Sequence, residues 1–402
     1  MTYAEALEKL KKRGQEQLLR HYEDLSDAEK ANLLSDIESI DFSVFDRAEH
    51  FAKKEYRITP IPIFTAEMAE KTRKSCETAG ISAIRAGKVA AVLLSGGQGT
   101  RLGFAHAKGM FDIGITRAHY IFEFHFAYLL SVAKRSGAFF PVYVMTSVMN
   151  GAEIRAFLEE HDFFGYDGRF VHFYAQSLVA STDTAGKILM SSPSAIVKSP
   201  DGNGGWFSSM EKTGVLDEIR AAGVEWLNVV SIDNVMQKTC DPAFVGATIL
   251  SEKACGAKVI RKTSFEEKIG LICENMGHPA VIEYYELDGL QKQQNISFDG
   301  MDFGVILNYL FRVDEMEKTL SRPLPVHKAL KKIPYFDGEY HRPERENGYK
   351  YEMLATDLVE YMPSCLPYEV LRAHEFAPIK NRVGTDSVES AQKMLLDSGF
   401  AL

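Results

Sequence analysis

The chain has 402 residues, 46% of them hydrophobic and 25% charged, which is the composition of a globular protein with a sizeable core. The formal net charge of −9 argues against nucleic acid and anionic membranes as partners, so a phosphate ligand has to be held by local cations. Five scattered cysteines without C-x-x-C spacing argue against a zinc site and against a disulfide framework.

The N-terminal region, residues 1–85, is predicted to be helical. Ser26 and Glu29 have the spacing of a capping box and open a helix that carries Leu33. A further helix is predicted around residues 65–79. The start of the chain is polar and no apolar stretch is long enough to span a bilayer, so we expect a cytoplasmic protein without a secretory signal.

An apolar strand is predicted over residues 88–94, and a glycine-rich loop follows it directly. The loop begins with Gly96 and Gly97 and carries two cations, Arg101 and Lys108. Bare backbone N–H groups after a strand form a concave surface that binds anions, phosphates above all. The loop therefore predicts a site for several phosphate oxygens.

The spacing of this loop separates it from two common phosphate-binding motifs. Gly97-Gln-Gly99-Thr-Arg-Leu-Gly103 is one residue longer than the dinucleotide fingerprint, and the loop lacks the G-K-[ST] ending of a P-loop. A tight strand-to-helix turn with solvated cations is the alternative interpretation. Four glycines together with two cations favour a nucleoside triphosphate whose pyrophosphate end is held as it leaves.

Strands and helices alternate after this loop, which predicts a mostly parallel sheet with helices on both faces. The predicted strands are 142–146, 171–175 and 227–232, and the predicted helices are 120–134, 152–160 and 215–222. Ligands of such sheets bind outside the carboxyl ends of the strands. Asp233 follows one of these strands, where it could hold Mg²⁺ against triphosphate oxygens or, equally well on sequence alone, cap the next turn.

Residues 257–311 alternate differently and are predicted to form antiparallel strands that extend the sheet over one side of the cleft. The segments 258–261, 269–273 and 280–285 are the predicted strands, with a turn at 275–278. A short helix is predicted from residue 387 to the end. We therefore expect a helical region over 1–85, a catalytic domain over 86–384 and a C-terminal helix or tail over 385–402.

Two motifs of the glycine loop, L-x-G-G-Q-G-T-R-L-G and K-G-M-F-D-I-G, resemble those of the eukaryotic-type UDP-sugar pyrophosphorylases. The resemblance covers roughly residues 55–385 in six blocks and is nearest to the UDP-N-acetylhexosamine branch of the family. Ser95 stands where alanine is usual, and Ala107 replaces a proline, which loosens the backbone before Lys108. The fold that the resemblance implies is a Rossmann-like, GT-A-like nucleotidyltransferase sheet, α/β and mostly parallel, flanked by helices.

The resemblance also implies roles for residues whose own context is uninformative. Gln176, otherwise an exposed loop residue, matches the glutamine that reads the uracil edge, for which an amide is suited. Asp233 matches the metal-binding aspartate, and Lys380 in E-F-A-P-I-K-N matches a lysine that contacts phosphate. The remaining implied contacts, with nucleotide and sugar, belong to Gly96, Gly97, Asn203, Gly204, Gly205, Gly270 and Glu283.

Several of these segments have simpler interpretations when taken alone. The P-D-G-N-G-G string at 200–205 would be a surface turn, Glu283 a solvated strand residue, and Lys380 a solvated lysine. The stretch from His327 to Lys332 resembles H-x-x-x-K-K-I-P, and would otherwise be an ordinary basic helix end. The resemblance favours the functional interpretation in each case.

The departures from the family pattern concentrate at the sugar end. Asp302 replaces an asparagine that is expected to touch the sugar, and Met353 and Ala355 align with two expected phenylalanines. A carboxylate accepts hydrogen bonds from sugar hydroxyls but, unlike an amide, donates none unless it is protonated. The nucleotide end of the site is therefore expected to match the family more closely than the sugar end.

The expected activity is that of a uridylyltransferase, which joins UTP and N-acetylglucosamine 1-phosphate to give UDP-N-acetylglucosamine and pyrophosphate. Arg101 and Lys108 are expected to neutralise the leaving pyrophosphate, Lys380 to hold the sugar phosphate, and Asp233 to bind Mg²⁺ or Mn²⁺. The alternatives are a UDP-glucose or broad UDP-sugar pyrophosphorylase and a nucleotide-binding regulator without catalysis. No nucleic-acid or membrane partner is expected, and no oligomeric state is predicted.

Overall fold

The computed structural model describes residues 1–50, 56–294 and 296–402. In these residues the α-helices are α1 (Tyr3–Lys11), α2 (Asp27–Glu38), α3 (Ser43–His50), α4 (Ala66–Arg85), α5 (Ile121–Ser136), α6 (Gly151–Glu160), α7 (Trp206–Lys212), α8 (Val215–Ala221), α9 (Pro242–Leu250), α10 (Tyr284–Gln294), α11 (Val313–Thr319), α12 (Asp357–Glu360), α13 (Arg372–Glu375) and α14 (Val388–Asp397).

The strands of the described residues are β1 (Ile58–Thr59), β2 (Val89–Leu94), β3 (Val142–Thr146), β4 (Val171–Ala175), β5 (Leu178–Ala180), β6 (Thr182–Asp183), β7 (Met190–Ser192), β8 (Ala195–Ile196), β9 (Lys198–Pro200), β10 (Trp226–Ser231), β11 (Cys255–Arg261), β12 (Leu271–Asn275), β13 (His278–Ile282), β14 (Phe303–Arg312), β15 (His327–Lys331), β16 (Tyr335–Phe336), β17 (Tyr340–His341), β18 (Gly348–Glu352) and β19 (Cys365–Glu369).

The chain divides into two units, each assembled from segments that are far apart in the sequence. Unit 1 comprises the described parts of Met1–Lys54, together with Ser177–Gly205 and Leu324–Leu354. Three small sheets lie in this unit, with strand orders β15-β18-β6, β17-β16-β7-β8 and β5-β9. Its main core joins apolar residues of α1 and α2, such as Leu10 and Leu33, to apolar residues near β7 and β8.

Unit 2 contains the remaining described residues and is built around a ten-stranded mixed sheet. The order along the sheet is β1-β12-β14-β10-β2-β3-β4, while β11 pairs with β14 and β19, and β13 with β12. The four neighbours β10, β2, β3 and β4 run parallel, and β14 runs antiparallel to β10. Helices flank the sheet, so the predicted α/β class is confirmed.

Strand β2 shows why the parallel part of the sheet forms. All six of its residues, Val89–Leu94, are buried, which is the pattern of a strand covered by helices on both faces. The predicted strands at 142–146 and 171–175 are confirmed with the same bounds, and the one at 227–232 is confirmed as β10. The capping box of Ser26 and Glu29 at the start of α2 is confirmed as well.

The prediction for residues 257–311 is partly wrong. Strands β12 and β13 form an antiparallel hairpin and β11 pairs antiparallel with β14, so the predicted antiparallel strands are confirmed, although β11 also pairs parallel with β19. The error lies at the end of the last predicted strand. Tyr284 and Tyr285 begin helix α10 instead of continuing a strand. The chain turns there because the Glu286 carboxylate accepts the backbone N–H of Glu283 at 3.1 Å, which caps the first turn of the helix.

The alternative interpretation of residues 327–332 as a basic helix end is wrong as well. His327–Lys331 forms strand β15, which pairs antiparallel with β18, so strand pairing overrides the local charge pattern. The predicted terminal helix is confirmed as α14, which Ser387 caps by accepting the N–H of Ser390. No described helix is long and apolar enough to cross a bilayer. The domain limits expected near residues 85 and 385 stay a prediction.

Candidate active site

The carboxyl ends of β10, β2, β3 and β4 meet at one edge of the unit 2 sheet, because these strands are parallel neighbours. The loops that leave this edge carry most of the nucleotide-end residues predicted from the sequence. Gly96 and Gly97 follow β2, Gln176 follows β4, and Asp233 follows β10. The topology therefore places these residues where open parallel sheets bind ligands.

Gln176 lies directly against the backbone of Gly96. A Cβ atom built on Gly96 would lie 2.9 Å from the Oε1 atom of Gln176, so only glycine leaves room for the amide. Gln176 is 6% exposed, and its backbone N–H donates to the carbonyl of Thr146 at 2.8 Å. The glutamine is thus a buried and fixed residue, and the interpretation of Gln176 as an exposed loop residue is wrong.

The loop from Gly97 to Lys108 folds back on itself. The backbone N–H of Lys108 donates to the carbonyl of Gly97 at 3.1 Å, and Gln98 and Ala107 form an antiparallel bridge. No atom lies within 4 Å of a Cβ atom built on Gly97, so its backbone faces open space. Arg101 is exposed on a short 3₁₀ turn of this loop. Both cations of the loop are therefore carried by one folded segment.

Lys108 and Asp233 form an ion pair at the edge of the sheet. The Lys108 ammonium lies 3.7 Å from the Asp233 carboxylate, and their side chains are 16% and 24% exposed. Burial lowers the pKa of Lys108, the negative charge of Asp233 opposes this, and the positive charges of Lys380 and Arg101 lower it further. The other three predicted charged residues therefore lie within electrostatic reach of Lys108.

The carboxylate of Asp233 is ionised in this setting. Burial alone would raise its pKa, but the Lys108 ammonium, the hydroxyl of Ser231 and the charge of Lys380 hold the pKa below its usual value. The Ser231 hydroxyl donates to one Asp233 oxygen at 2.7 Å, and Lys108 approaches the other. This geometry orients the carboxylate and leaves it negatively charged at neutral pH.

The segment 375–380 is hydrogen-bonded to the residues that follow β10. Ile379 donates its backbone N–H to the Asp233 carbonyl at 2.8 Å. The side chain of Asn234 donates to the Glu375 carbonyl at 2.7 Å and accepts the backbone N–H of Ala377 at 2.8 Å. These bonds bring Lys380, the residue after Ile379, beside Asp233.

The Lys380 side chain is 36% exposed, and its ammonium lies 3.2 Å from the carboxylate of Asp386. The sequence match alone gave no role to Asp386. The Asp386 carboxylate restrains the Lys380 ammonium, because both residues belong to the same loop. The Lys380 side chain is still partly exposed, so an incoming anion can reach it. Lys380 is therefore more than a freely solvated lysine.

A buried network of ion pairs includes Glu375, the first residue of the segment 375–380. Lys258 is fully buried, and its ammonium lies 2.9 Å from the Asp241 carboxylate and 2.6 Å from that of Glu375. Burial would lower the pKa of Lys258, yet the two carboxylates hold it above its usual value. Glu375 begins the E-F-A-P-I-K-N match, so the motif contains an anchor as well as the lysine.

Gly270 and Glu283 form a second group in unit 2. A Cβ atom built on Gly270 would lie 3.6 Å from an oxygen of Glu283, and nearer still to the side chains of Val281 and Val305. The hydroxyl of Thr356 donates to Glu283 at 2.9 Å. Glu283 is thus a bonded residue, so the interpretation as a solvated strand residue is wrong, and Thr356 is one of its partners.

Asp302 does not share this arrangement. Its carboxylate pairs with Arg261 at 3.0 Å, and the two side chains are 58% and 60% exposed. Its backbone carbonyl accepts the N–H of Lys262 at 2.7 Å. Asp302 therefore forms an exposed ion pair, and Val305, three residues further on, is the residue of this stretch that lies beside Gly270.

Asn203, Gly204 and Gly205 belong to unit 1. The backbone N–H of Gly204 donates to the Met353 carbonyl at 2.8 Å, and a Cβ atom on Gly205 would lie 2.2 Å from the Asp201 carboxylate. Asp201 is 1% exposed. The P-D-G-N-G-G string is thus a tightly packed turn whose glycines are required by close contacts, rather than a plain surface turn.

Among the described residues, no group of three or more His, Cys, Asp or Glu side chains could hold a metal ion. Asp233 offers a single ionised carboxylate, partly exposed. Magnesium in phosphate-binding sites takes one or two carboxylates and completes its shell with phosphate oxygens and water. The residues present fit a cation that arrives with a phosphate substrate, and do not form a protein-only cage.

Comparison with known proteins matches residues 50–391 to the family described as UTP–glucose-1-phosphate uridylyltransferase. The chain is 32% identical to the UDP-N-acetylglucosamine pyrophosphorylase of Saccharomyces cerevisiae, over 98% of this chain and 86% of that protein. It is also 32% identical to UDP-N-acetylglucosamine diphosphorylase 2 of Arabidopsis thaliana, over 97% of this chain and 82% of that protein.

A solved structure has the same fold. The uridine diphosphate N-acetylglucosamine pyrophosphorylase of Trypanosoma brucei, in complex with an inhibitor, superposes with a TM-score of 0.81. That likeness covers 97% of this chain and 84% of that chain, at 26% sequence identity.

Proposed function

The chain belongs to the UTP–glucose-1-phosphate uridylyltransferase family, and we propose that it joins UTP to N-acetylglucosamine 1-phosphate, releasing pyrophosphate. The observation that carries the proposal is the cluster of Arg101, Lys108, Asp233 and Lys380 around the glycine turn. A protein that only binds a nucleotide has no need for several cations on a leaving group. The names of the similar proteins support N-acetylglucosamine as the sugar.

The reaction is an in-line displacement at the α-phosphorus of UTP. A phosphate oxygen of the sugar 1-phosphate forms a new bond to this phosphorus, and the bond from it to the β-phosphate oxygen breaks. The electron pair of the broken bond leaves with pyrophosphate. Because the attacking oxygen is already an anion, no general base is required, and positioning with charge neutralisation supplies the rate.

The cations are assigned by their positions in the site. Arg101 and Lys108, both on the loop after β2, neutralise the pyrophosphate as negative charge develops on it. Lys380, on the segment bonded to Asp233, holds the phosphate of the incoming sugar. Both assignments rest on the resemblance and on the electrostatic proximity of the three side chains.

Asp233 is the residue that would hold Mg²⁺ or Mn²⁺ together with phosphate oxygens. When bound, such a cation supplies charge neutralisation between the phosphates. The chain's own contribution is to keep the carboxylate ionised and oriented, which the Ser231 hydroxyl and the Lys108 ammonium do at 2.7 Å and 3.7 Å.

The uridine is proposed to lie on Gly96 and Gly97, with its uracil edge on the Gln176 amide. The substrate contacts of Asn203, Gly204 and Gly205 stay a prediction from the resemblance. The buried contact between Gly96 and Gln176 supports the first part of this assignment. Gly270 and Glu283 are proposed to contact the sugar. The proposed sugar contact of Asp302 is weakened by its ion pair with Arg261.

A second candidate is a UDP-glucose or broad UDP-sugar pyrophosphorylase. It is favoured by the departure at the sugar end, where Asp302 stands in place of an amide and pairs with Arg261 at 3.0 Å. The rival from another class is a nucleotide-binding regulator without catalysis. The cytoplasmic location and the expected lack of nucleic-acid and membrane partners stay predictions.

Pyrophosphate release separates these candidates. The full chain is assayed with UTP and Mg²⁺ and, in turn, the 1-phosphates of N-acetylglucosamine, N-acetylgalactosamine, glucose and galactose. We expect the highest kcat/KM with N-acetylglucosamine 1-phosphate. A preference for glucose 1-phosphate would favour the second candidate, and no release with any of the four would favour the regulator.

A further inference from the structure

A cavity of about 380 Å³ lies in unit 2, away from every residue assigned above. Its walls come from helix α5, from residues 235–238 and from the C-terminal stretch around Phe400. Phe124 and Tyr128 of α5 supply aromatic surface, and His374 closes one side. Cavities of this size, mostly apolar with a few polar groups, are typical of sites for small organic molecules.

The charge of the lining selects the kind of molecule. Among the residues that the structure describes, no acidic side chain lines the cavity, whereas Lys238 and His374 do. Lys238 lies 3.5 Å from Glu375, but the other oxygen of that carboxylate is bonded to the buried Lys258 at 2.6 Å. Since Lys258 also pairs with Asp241, two ammonium groups balance two carboxylates here. An incoming anion therefore meets no net negative charge, and Lys238 offers it an ammonium group.

The wall of the cavity is continuous with the candidate catalytic segments. Residues 235–238 follow Asp233 and Asn234 directly, and His374 directly precedes Glu375. The Asn234 side chain bonds the two segments to each other through the backbone of Glu375 and of Ala377. A molecule that pushes the cavity walls apart would displace residues 235–238 and His374, and with them the backbone of the segments that carry Asp233 and Lys380.

We propose that this cavity is a regulatory site for a small aromatic anion, whose binding changes the rate of the reaction by altering the spacing of Asp233 and Lys380. The carboxylate or sulfonate of the ligand faces Lys238 and His374, and its ring packs on Phe124, Tyr128 and Phe400. The binding part of the inference stands without the proposed function, and the regulatory part rests on it.

Binding is tested on the full chain with the fluorescent sulfonate 8-anilinonaphthalene-1-sulfonate. One saturable site is expected, which saturating UTP does not displace. The Ala127→Phe variant fills the cavity, since Ala127 lines it, and should abolish the signal. Ala222→Phe is the matched control, because Ala222 is exposed at the end of α8 and does not line the cavity.

The preference for an anion is tested with a matched neutral probe. Lys238→Gln should weaken binding of the sulfonate at least about fivefold while leaving binding of neutral N-phenyl-1-naphthylamine unchanged. Equal loss of both probes would overturn the proposed orientation. Displacement by UTP would place the probe in the nucleotide site and overturn the cavity assignment, as would binding that Ala127→Phe leaves intact.

Coupling is measured in two ways. The sulfonate should change kcat for pyrophosphate release at saturating UTP. It should also change the affinity of the chain for UTP, and UTP should change the affinity of the chain for the sulfonate by the same factor. Probe binding with no effect on either quantity would overturn the regulatory role. A chain that binds the probe but releases no pyrophosphate would contradict the proposed function and leave the cavity site standing.

Discussion

The Lys108 ammonium lies 3.7 Å from the Asp233 carboxylate, although the two residues are 125 positions apart in the chain. They meet because β2 and β10 are parallel neighbours, so the loops that follow them leave the same edge of the sheet. The pair brings a carboxylate and an ammonium group together, and the charges of Lys380 and Arg101 also act on Lys108. A metal–triphosphate complex matches such a site, since it too brings both signs of charge.

Replacement of Arg101 tests the leaving-group assignment. Arg101→Ala should lower kcat by about 10²-fold or more, because it removes positive charge that faces charge developing on the pyrophosphate. Steady-state pyrophosphate release is the measurement. Arg117→Ala is the control, since the Arg117 side chain is 66% exposed and pairs with Glu123. A near-normal rate for Arg101→Ala would contradict the assignment.

Asp233→Asn tests the metal assignment with little change in side-chain volume. The variant should lose activity at every Mg²⁺ concentration, because an amide carries no charge to attract the cation. Activity is titrated against Mg²⁺ for the variant and for Asp217→Asn, whose side chain is 80% exposed and serves as the control. An unaltered Mg²⁺ dependence in Asp233→Asn would rule out this role.

Lys380→Met tests the sugar-phosphate assignment. We expect the KM for the sugar 1-phosphate to rise about tenfold or more while the KM for UTP changes little, because loss of a charge-assisted contact costs about 1.5–3 kcal/mol. Asp386→Asn keeps the lysine but removes the partner that lies 3.2 Å away, and should have a smaller effect. A selective rise in the KM for UTP would instead assign Lys380 to the nucleotide.

Thr356 is expected to act as a positioning residue for Glu283. Thr356→Val removes the hydroxyl that donates to Glu283 at 2.9 Å and keeps the shape of the side chain. The KM for the sugar 1-phosphate should rise by roughly three- to tenfold, as for loss of one hydrogen bond, with the KM for UTP unchanged. Thr356→Ser should restore the wild-type value. Equal effects of both variants would point to a packing role.

The Lys258 network should contribute strongly to stability. Lys258→Met removes the buried partner of Asp241 and Glu375 and leaves Lys238 as the remaining cation near them, and breaking such a buried pair costs about 3–5 kcal/mol. In the native chain, burial would raise the pKa of Asp241, but Lys258 holds it below its usual value. Asp241 therefore stabilises the fold above its usual pKa, and this contribution is lost as the pH falls through the folded-state value.

Urea unfolding of Lys258→Met across the pH range is the measurement. Without Lys258 the pKa of Asp241 rises in the folded state. The difference in free energy of unfolding between wild type and variant should therefore become smaller as the pH is lowered. Lys268→Met, at an exposed lysine nearby in the sequence, is the control. A variant with wild-type stability at neutral pH would show that the network contributes little.

The sequence predicted the parallel part of the sheet well, because strands such as Val142–Thr146 are short, mostly apolar runs that are buried along their whole length. It also located the charged residues of the cluster, although their proximity follows from strand order. The contact of Thr356 with Glu283 could not be read from spacing, since it joins residues 73 positions apart. Helix α10 was missed because its start depends on the side-chain bond between Glu286 and the Glu283 backbone.

The sugar end shows the limit of motif matching most clearly. Alignment pointed to Asp302, whose carboxylate pairs with Arg261 on the surface. That pair joins side chains 41 positions apart and could not be read from the motif. Asn234 was visible in the S-I-D-N string, yet its role in fastening residues 375–377 depends on tertiary contacts.

The most direct test of the central claim follows the γ-phosphate of UTP through one turnover. The full chain is incubated with γ-phosphate-labelled UTP, Mg²⁺ and N-acetylglucosamine 1-phosphate, and the products are separated. Attack at the α-phosphorus predicts that the label leaves as pyrophosphate, in amounts equal to the UDP-sugar formed. Label that appears as orthophosphate, or that stays on the nucleotide, would contradict the account.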